Sequence, residues 1–300
     1  MMQKNFFKRH AESPYLFIAP YAILFLIVIV LPVIVAVLLS FTSFNTINPP
    51  VFVGFKNYID IFTGDTVFLQ NAISNTLLFS VIVGPIGYMF AFFLAWMLAQ
   101  VTHRARTFYA VIIYSPSITG AVMMANVWRI IFSGDETGYL NSILMRWFGV
   151  DSPIQFLMDA QLLFPIMIIV SLWSSMGLGF LAMLAGILNI DRSLYEAAAI
   201  DGLKNRWQEI FYITIPAIKP QMLFGAVMAI IGTFNAAGLA SALSGGGTPP
   251  QYAGWLIVDH AIDFGFTRFE MGYASAITVI LLLVVVLFNR IAYKLFGERD

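Results

Sequence analysis

Residues 162–189 read LLFPIMIIVSLWSSMGLGFLAMLAGILN, a run of 28 positions without Asp, Glu, Lys or Arg. A helix rises ~1.5 Å per residue, so this run is long enough to cross the ~30 Å hydrocarbon layer of a bilayer. Working outward from it, five further stretches have the same character: Leu16–Phe41, Ala72–Val101, Phe108–Phe132, Ala217–Ala240 and Gly272–Tyr293. A membrane β-barrel would instead show segments of about ten residues alternating between apolar and polar. Over its 300 residues the chain is 60% hydrophobic and 11% charged, with a mean hydropathy of +0.84. A soluble domain carries roughly 25% charge. The expected fold class is therefore an all-α polytopic membrane protein with six transmembrane helices.

Lysine and arginine sort onto two sets of flanks. One set holds Lys4, Lys8, Arg9, Arg104, Arg106, Arg192, Lys204, Arg206, Lys219, Arg290, Lys294 and Arg299, and the other holds Lys56, Arg129, Arg146 and Arg268. The positive-inside rule assigns the larger set to the cytoplasm, so both termini are expected inside, in keeping with an even number of spans. The basic N-terminus ahead of an apolar run resembles a signal peptide. That run is about 25 residues long and lacks a small-x-small cleavage site, so it is expected to remain as the first helix. A cytoplasmic tail over 1–13 then precedes one transmembrane domain over 14–300. External segments are expected over Asn45–Gln70, with a short amphipathic helix near Tyr58–Phe62, over Ser133–Asp159, and over Ser241–Met271. The last contains a flexible break at Gly245-Gly246-Gly247-Thr248-Pro249-Pro250. Pro32, Pro85 and Pro165 fall inside spans, where membrane helices tolerate kinks.

Several chemistries are missing. The chain has no cysteine, and His10, His103 and His260 do not cluster, so no metal site is expected. No nucleic-acid partner is expected either. The cores of the spans lack the ionisable groups with which ion-coupled carriers hold their coupling ion. No G-x-x-x-x-G-K-[ST] phosphate loop occurs anywhere. A chain of this kind that moves a solute uphill must take its energy from another chain.

Between the fourth and fifth spans lies Ser193-Leu194-Tyr195-Glu196-Ala197-Ala198-Ala199-Ile200-Asp201-Gly202. Ser193 and Glu196 have the spacing of a capping box, in which a hydroxyl caps the helix and a carboxylate reaches back to it. Ala197 to Ala199 form a small face that permits close approach, and Gly202 suits a helix stop with positive φ. Asn205 and Gln208 repeat the cap spacing and open a second helix, Arg206–Ile213, which Pro216 is expected to end. These residues by themselves leave two readings open: a docking element for a partner, or a plain amphipathic connector.

The same loop resembles the EAA signature of the membrane subunits of ATP-binding-cassette importers, through Glu196, Ala197, Ala198 and Gly202 and then Ile213, Ile215 and Pro216. Other stretches resemble the carbohydrate-uptake branch and its maltose-type first permease: Tyr15–Pro20 with Ser40-Phe41-Thr42, Gly54–Tyr58, Asn75-Thr76-Leu77, Leu184–Ile187, Asp201-Gly202 and Phe269–Ala276. The resemblance implies a type I importer permease fold in a bacterial or archaeal cell (inner) membrane. It implies that the cytoplasmic loop 191–216 docks a separate ATPase, with Glu196, Ala197, Ala198, Asp201 and Gly202 at the contact. The implied partners are a second homologous permease, an ATPase dimer, an extracytoplasmic sugar-binding protein and the lipid membrane. No cofactor is expected on this chain, which would have no ATPase site; ATP and Mg²⁺ would be used by the partner subunits. Two departures stand out. The loop is one residue longer than usual at Lys204-Asn205-Arg206, and Asp191 stands where the branch usually has Pro, which implies a slightly different loop path.

A path for a neutral sugar needs aromatic faces, hydroxyls and amides without fixed charge. The fourth span offers Trp173, Ser174 and Ser175, the fifth Thr233, Phe234 and Asn235, and the third Asn126 and Trp128. Each also has a structural reading, because Ser and Thr in spans commonly bond their own backbone and Asn bridges helices. The resemblance implies a path at Ser174, Ser175, Leu178, Met228, Gly232 and Asn235. Only Asn235 keeps a polar group of the family type there, so the expected sugar is not maltose. Contacts to the binding protein are expected at Gly245–Gln251 and near Asp135. The alternative class is a stand-alone ion-coupled carrier or channel, which would transport without ATP; a third is a membrane assembly factor with no solute path.

Overall fold

The computed structural model describes residues 14–296; the expected cytoplasmic tail over 1–13, and Arg299, lie outside the described residues. Among the described residues, four helices are long and apolar enough to cross a membrane by themselves: Phe17–Leu39, Phe68–Ala99, Ala160–Leu188 and Met271–Leu295. They match the first, second, fourth and sixth expected spans. The other two expected spans are bent pairs, which brings the total to six only if each pair counts as one span.

The third expected span, Phe108–Phe132, is corrected to two helices, His103–Ile118 and Ala121–Ile131, meeting at 100°. Pro116 removes an amide from the last turn of the first helix, and Thr119 and Gly120 then adopt extended backbone (ψ 126° and 145°). The fifth expected span, Ala217–Ala240, is corrected to the helix Lys219–Phe234. It is preceded by an arm, Arg206–Ala217, set at 83° to it. Pro216 does not end the second loop helix, which runs through it. The chain leaves helical geometry at Ile218 (φ −108°, ψ 20°), and Pro220, whose missing amide is harmless in a first turn, restarts it. The fourth span passes Pro165 without stopping but breaks between Trp173 and Leu178, where Gly177 takes ψ −147°.

The segments expected to be external hold more structure than their composition suggested. Ser133–Asp159 contains the helix Tyr139–Phe148, and Lys56–Thr63 forms where a short amphipathic helix was expected. The glycines expected to make a flexible break form defined turns with φ +103°, +103° and +76° at Gly245, Gly246 and Gly247. The short helix Ile257–Ile262 follows.

The chain divides into two compact units. One comprises, among the described residues, 14–64 and Ala261–Ile280. Here Thr42–Ser43 pairs antiparallel with Val51–Phe52, and the Asn57 amide donates to the Ser40 and Thr42 carbonyls at 2.9 Å each, pinning Lys56–Thr63 to the end of the first span. The other comprises Asp65–His260 and, among the described residues, 281–296. Its spine is the helix Ile73–Ala99, whose buried face carries Thr76, Ser80, Gly84, Gly87, Ala91 and Ala95 at spacings of three and four. Lipid tails are as apolar as leucine, so such a face stabilises by close packing and not by release from water. The fourth and fifth spans also approach closely: a Cβ added at Gly179 would lie 2.9 Å from the Gly225 Cα. Two clusters fill the unit, one around Phe79, Met124, Phe156 and Met167, the other around Phe92, Phe180, Met183 and Ile218. Arg106 closes the C-terminal end of the spine by donating to the carbonyls of Leu98, Ala99 and Val101 at 3.1, 3.2 and 2.9 Å.

Candidate functional site

The loop expected to dock a partner folds as Arg192–Ile200, a turn, and the arm. Its N-cap is Asp191, whose carboxylate accepts from the Ser193 amide at 3.0 Å. This corrects the capping box placed at Ser193: an acceptor two residues earlier starts the helix sooner and leaves Ser193 inside the first turn. The bonds from Ser193 hold the Asp191 carboxyl below the usual carboxylate range, so it stays ionised where it complements the helix dipole. At the other end, Leu203 N–H reaches Ala198 O at 3.0 Å and Gly202 N–H reaches Ala199 O at 3.3 Å, with Gly202 at φ +93°. That pair of bonds is a Schellman motif, and it needs a residue that tolerates the left-handed region. Glu196, Ala197, Asp201 and Gly202 are exposed and Ala198 is half-buried. Ile200, at 87% exposure, stands out among them.

The loop is tied to the arm. Tyr195 Oη lies 3.3 Å from Thr214 Oγ1, and Thr214 is fully buried. Asn205 caps the arm by accepting from Gln208 N–H at 2.8 Å, as its spacing suggested, while the Gln208 carbonyl oxygen accepts from Lys204 N–H at 2.8 Å. The two bonds form a reciprocal cap across Lys204–Gln208, at the position where the loop was expected to take a different path. Tyr195, Ala199, Leu203 and Glu209 line a cavity of about 340 Å³ beneath this turn.

The residues expected along the solute path divide. Ser174 and Ser175 sit at the break of the fourth span, and their hydroxyls are engaged locally: Ser174 Oγ donates to Val170 O and Ser171 O at 3.2 Å each, Ser175 Oγ to Leu172 O at 2.7 Å. Ser175 also packs on the spine, since a Cβ at Gly87 would lie 2.8 Å from its Oγ. One turn away, Gly84 faces Thr233, whose Oγ1 donates to Ala229 O at 2.9 Å. The spine therefore brings the fourth and fifth spans together at Ser175 and Thr233, through two glycines that the sequence pattern does not single out. Leu178 begins the second half of the fourth span and is exposed; Met228 is half-buried; Gly232 is exposed, and a Cβ added there would meet no atom within 4 Å. Asn235 ends its helix, exposed, with its amide donating to Ile231 O at 2.9 Å, which leaves the side-chain carbonyl oxygen as an acceptor. Trp173 meets Trp128 edge-on at 5.4 Å, and Trp128 stacks on Phe132 at 5.7 Å, so the aromatic candidates of the third and fourth spans form one cluster.

A polar knot holds the chain beyond Asn235. Asp259 accepts from Gly238 N–H at 2.6 Å and from Leu256 N–H at 3.0 Å; burial pushes its carboxyl above the usual range, and those two bonds oppose the push. Beside it, Trp255 Nε1–H donates to His260 Nδ1 at 3.3 Å, which leaves Nε2 to carry a proton toward Asp65 at 2.7 Å. Asn75 and Thr76 bond the same segment, Asn75 to Tyr252 O and Trp255 O and Thr76 Oγ1 accepting from Ile257 N–H. Near it, Asn126, Arg129, Asp135, Tyr139, Gln155 and Ser244 line a cavity of about 590 Å³. Asp135 and Ser244, from or beside the two segments expected to share one role, both line it, and a Cβ at Gly245 would lie 3.6 Å from the Arg129 guanidinium.

The same architecture occurs in known proteins. The chain is 34% identical over 295 residues to the "Probable ABC transporter permease protein YesP" of Bacillus subtilis, covering 98% of this chain and 93% of that protein. It is 30% identical over 283 residues to the arabinooligosaccharides transport system permease protein AraP of Halalkalibacterium halodurans, covering 94% and 86%. Among solved structures, a chain of a bacterial ABC transporter involved in the import of the acidic polysaccharide alginate shares the fold at a TM-score of 0.77 and 25% identity, over 98% of this chain and 99% of that one. Residues 13–299 match the family described as binding-protein-dependent transport system inner membrane component. The chain is a multi-pass membrane protein and belongs to that family.

Proposed function

We propose that the chain is a permease subunit of an ATP-driven carbohydrate importer, forming half of the translocation path. The observation that carries this is the docking loop. An exposed helix, closed at Gly202, is bonded through Tyr195 to Thr214 on an arm that leads directly into Lys219–Phe234. A push on Glu196–Gly202 is thereby delivered to the helix whose far end bears Asn235. In this reading each bent pair contributes one span, the second through Lys219–Phe234, giving six, with both termini and the loop on the cytoplasmic side in a bacterial or archaeal cell. The partners are a second permease, an ATPase dimer that holds ATP and Mg²⁺ and docks on Glu196, Ala197, Ala198, Asp201 and Gly202, and an external binding protein on the side of Asp135 and Gly245. The chain itself carries no ATPase site. Relatives named for arabinooligosaccharide transport, and a structural neighbour named for alginate import, support carbohydrate as the cargo. Ser174, Ser175, Leu178, Met228, Gly232 and Asn235 remain the proposed path, with Asn235 as its polar contact.

The test is reconstitution in liposomes. Uptake of labelled oligosaccharide should require the full complex, ATP on the loop side and binding protein on the other. Uptake by this chain alone under an ion gradient would establish the stand-alone carrier instead.

A further inference from the structure

The arm Arg206–Ala217 has two faces. Ile210, Ile213 and Thr214 are buried against the core, whereas Trp207, Phe211 and Tyr212 are 60%, 61% and 73% exposed. Three neighbouring exposed aromatic side chains are not a face that water tolerates cheaply, and such patches mark a partner or a membrane. Two observations identify which. The arm stands at 83° to Lys219–Phe234, so if that helix crosses the bilayer the arm runs along its surface. Trp207 also meets Phe93 edge-on at 6.1 Å, and Phe93 lies inside the apolar helix Phe68–Ala99, six residues before its end. Six residues of helix span about 9 Å, which sets the Trp207 ring at the depth where the span is still apolar. Lys204 and Lys219 flank the arm, positioned to meet anionic headgroups, whereas Arg206 is paired with Glu209 at 2.8 Å.

We propose that Trp207, Phe211 and Tyr212 lie in the headgroup–acyl boundary of the leaflet on the loop side, so that phospholipid covers this face and the arm is a lever lying on the bilayer. Aromatic rings favour that boundary because they join an apolar body to a polar edge. The bond from Tyr195 to Thr214 then hangs the docking helix from a lipid-anchored element. The proposal rests on family membership for the membrane and on the docking reading only for the choice of leaflet.

The chain has no cysteine, so single-site labelling is direct. Phe211→Cys and Tyr212→Cys, each carrying a nitroxide, are read by electron paramagnetic resonance in the complex assembled with cysteine-free partner subunits in liposomes. Leu78→Cys on an exposed face of the second span and Ser152→Cys in an exposed turn provide lipid and water references. Labels at 211 and 212 should be broadened by oxygen and shielded from a nickel chelate, as at Leu78→Cys. Broadening by the chelate, as at Ser152→Cys, overturns the proposal. So does shielding from both reagents that disappears when the ATPase is omitted; that outcome makes the face an ATPase contact and leaves the docking reading standing. Should the labelled variants not assemble, quenching of tryptophan fluorescence by brominated phospholipid is compared between the unmodified chain and Trp207→Phe. A smaller quenched fraction in Trp207→Phe supports the proposal, and an unchanged fraction overturns it.

Discussion

The proposed docking loop and the proposed solute path use polar residues in opposite ways. At Glu196–Gly202 the backbone is satisfied by its own caps, at Asp191 and at the Schellman turn, so most of the side chains are left exposed and unengaged by it. At Ser174, Ser175 and Thr233 the hydroxyls donate back to backbone carbonyls of the preceding turn, and little donor capacity remains for a solute. The difference follows from the surroundings. A loop in water loses nothing by leaving charges free, whereas a broken span must find a partner for every polar group it buries.

The sharpest way to break that contrast is at Gly202. Gly202→Asp places a Cβ at φ +93° and adds charge to the contact. If the whole backbone strain of about 1–3 kcal/mol falls on the docked state, ATP-driven uptake drops by about 5- to 150-fold. Glu196→Lys should act in the same direction, with hydrolysis persisting in the assembled complex. Normal uptake in both variants would remove the loop from the mechanism. Next in size is packing at the path. Gly179→Ala drives a Cβ against the Gly225 backbone and should cost about 1–3 kcal/mol, read as a lower melting temperature. Gly232→Ala enters open space and should melt as the unmodified chain does.

The knot behind Asn235 gives a comparable effect. Asp259→Ala leaves the amides of Gly238 and Leu256 unpaired, for about 1–3 kcal/mol of lost stability. Because burial raises the folded pKa of Asp259, ionisation works against the fold. Its contribution is whole below the unfolded carboxylate pKa and is lost as pH rises through the folded value. A thermal melting series across acidic pH, compared between the unmodified chain and Asp259→Ala, reads this directly. Smaller again are the path residues. Asn235→Ala should lower uptake by several-fold, the value of one hydrogen bond of about 0.5–1.5 kcal/mol, while Ser175→Ala stays near normal. Equal losses in the two would erase the distinction between engaged and free polar groups. The smallest effect is at the loop cap. Asp191→Ala should fray Arg192–Ile200, seen as faster amide exchange there, and Asp191→Ser should restore it.

Much of this contrast is readable from residue order. Gly202 and Asn205 take the conformations their types and spacing predict, because a cap involves atoms only a few residues apart. Ser193 does not, since Asp191 offers an equally good acceptor two positions earlier and tips the helix start. The bends at Ile118–Ala121 and Ile218 sit beside Pro116 and Pro220, but apolar composition averaged along a span measures length and says nothing of direction. Gly84 and Gly87 draw no notice in sequence. Their role exists only because Thr233 and Ser175, more than eighty positions away, pack against them.

Sequence by itself determined that this chain crosses a membrane as helices and where a capped loop interrupts the spans. Each of those follows from local chemistry: transfer of apolar runs into hydrocarbon, and hydrogen bonds between near neighbours. Tertiary structure alone decided which spans break, which hydroxyls remain free, and that the loop hangs from an arm set across its span. Those outcomes depend on which helices touch, and close packing between distant segments is a property of the assembled fold.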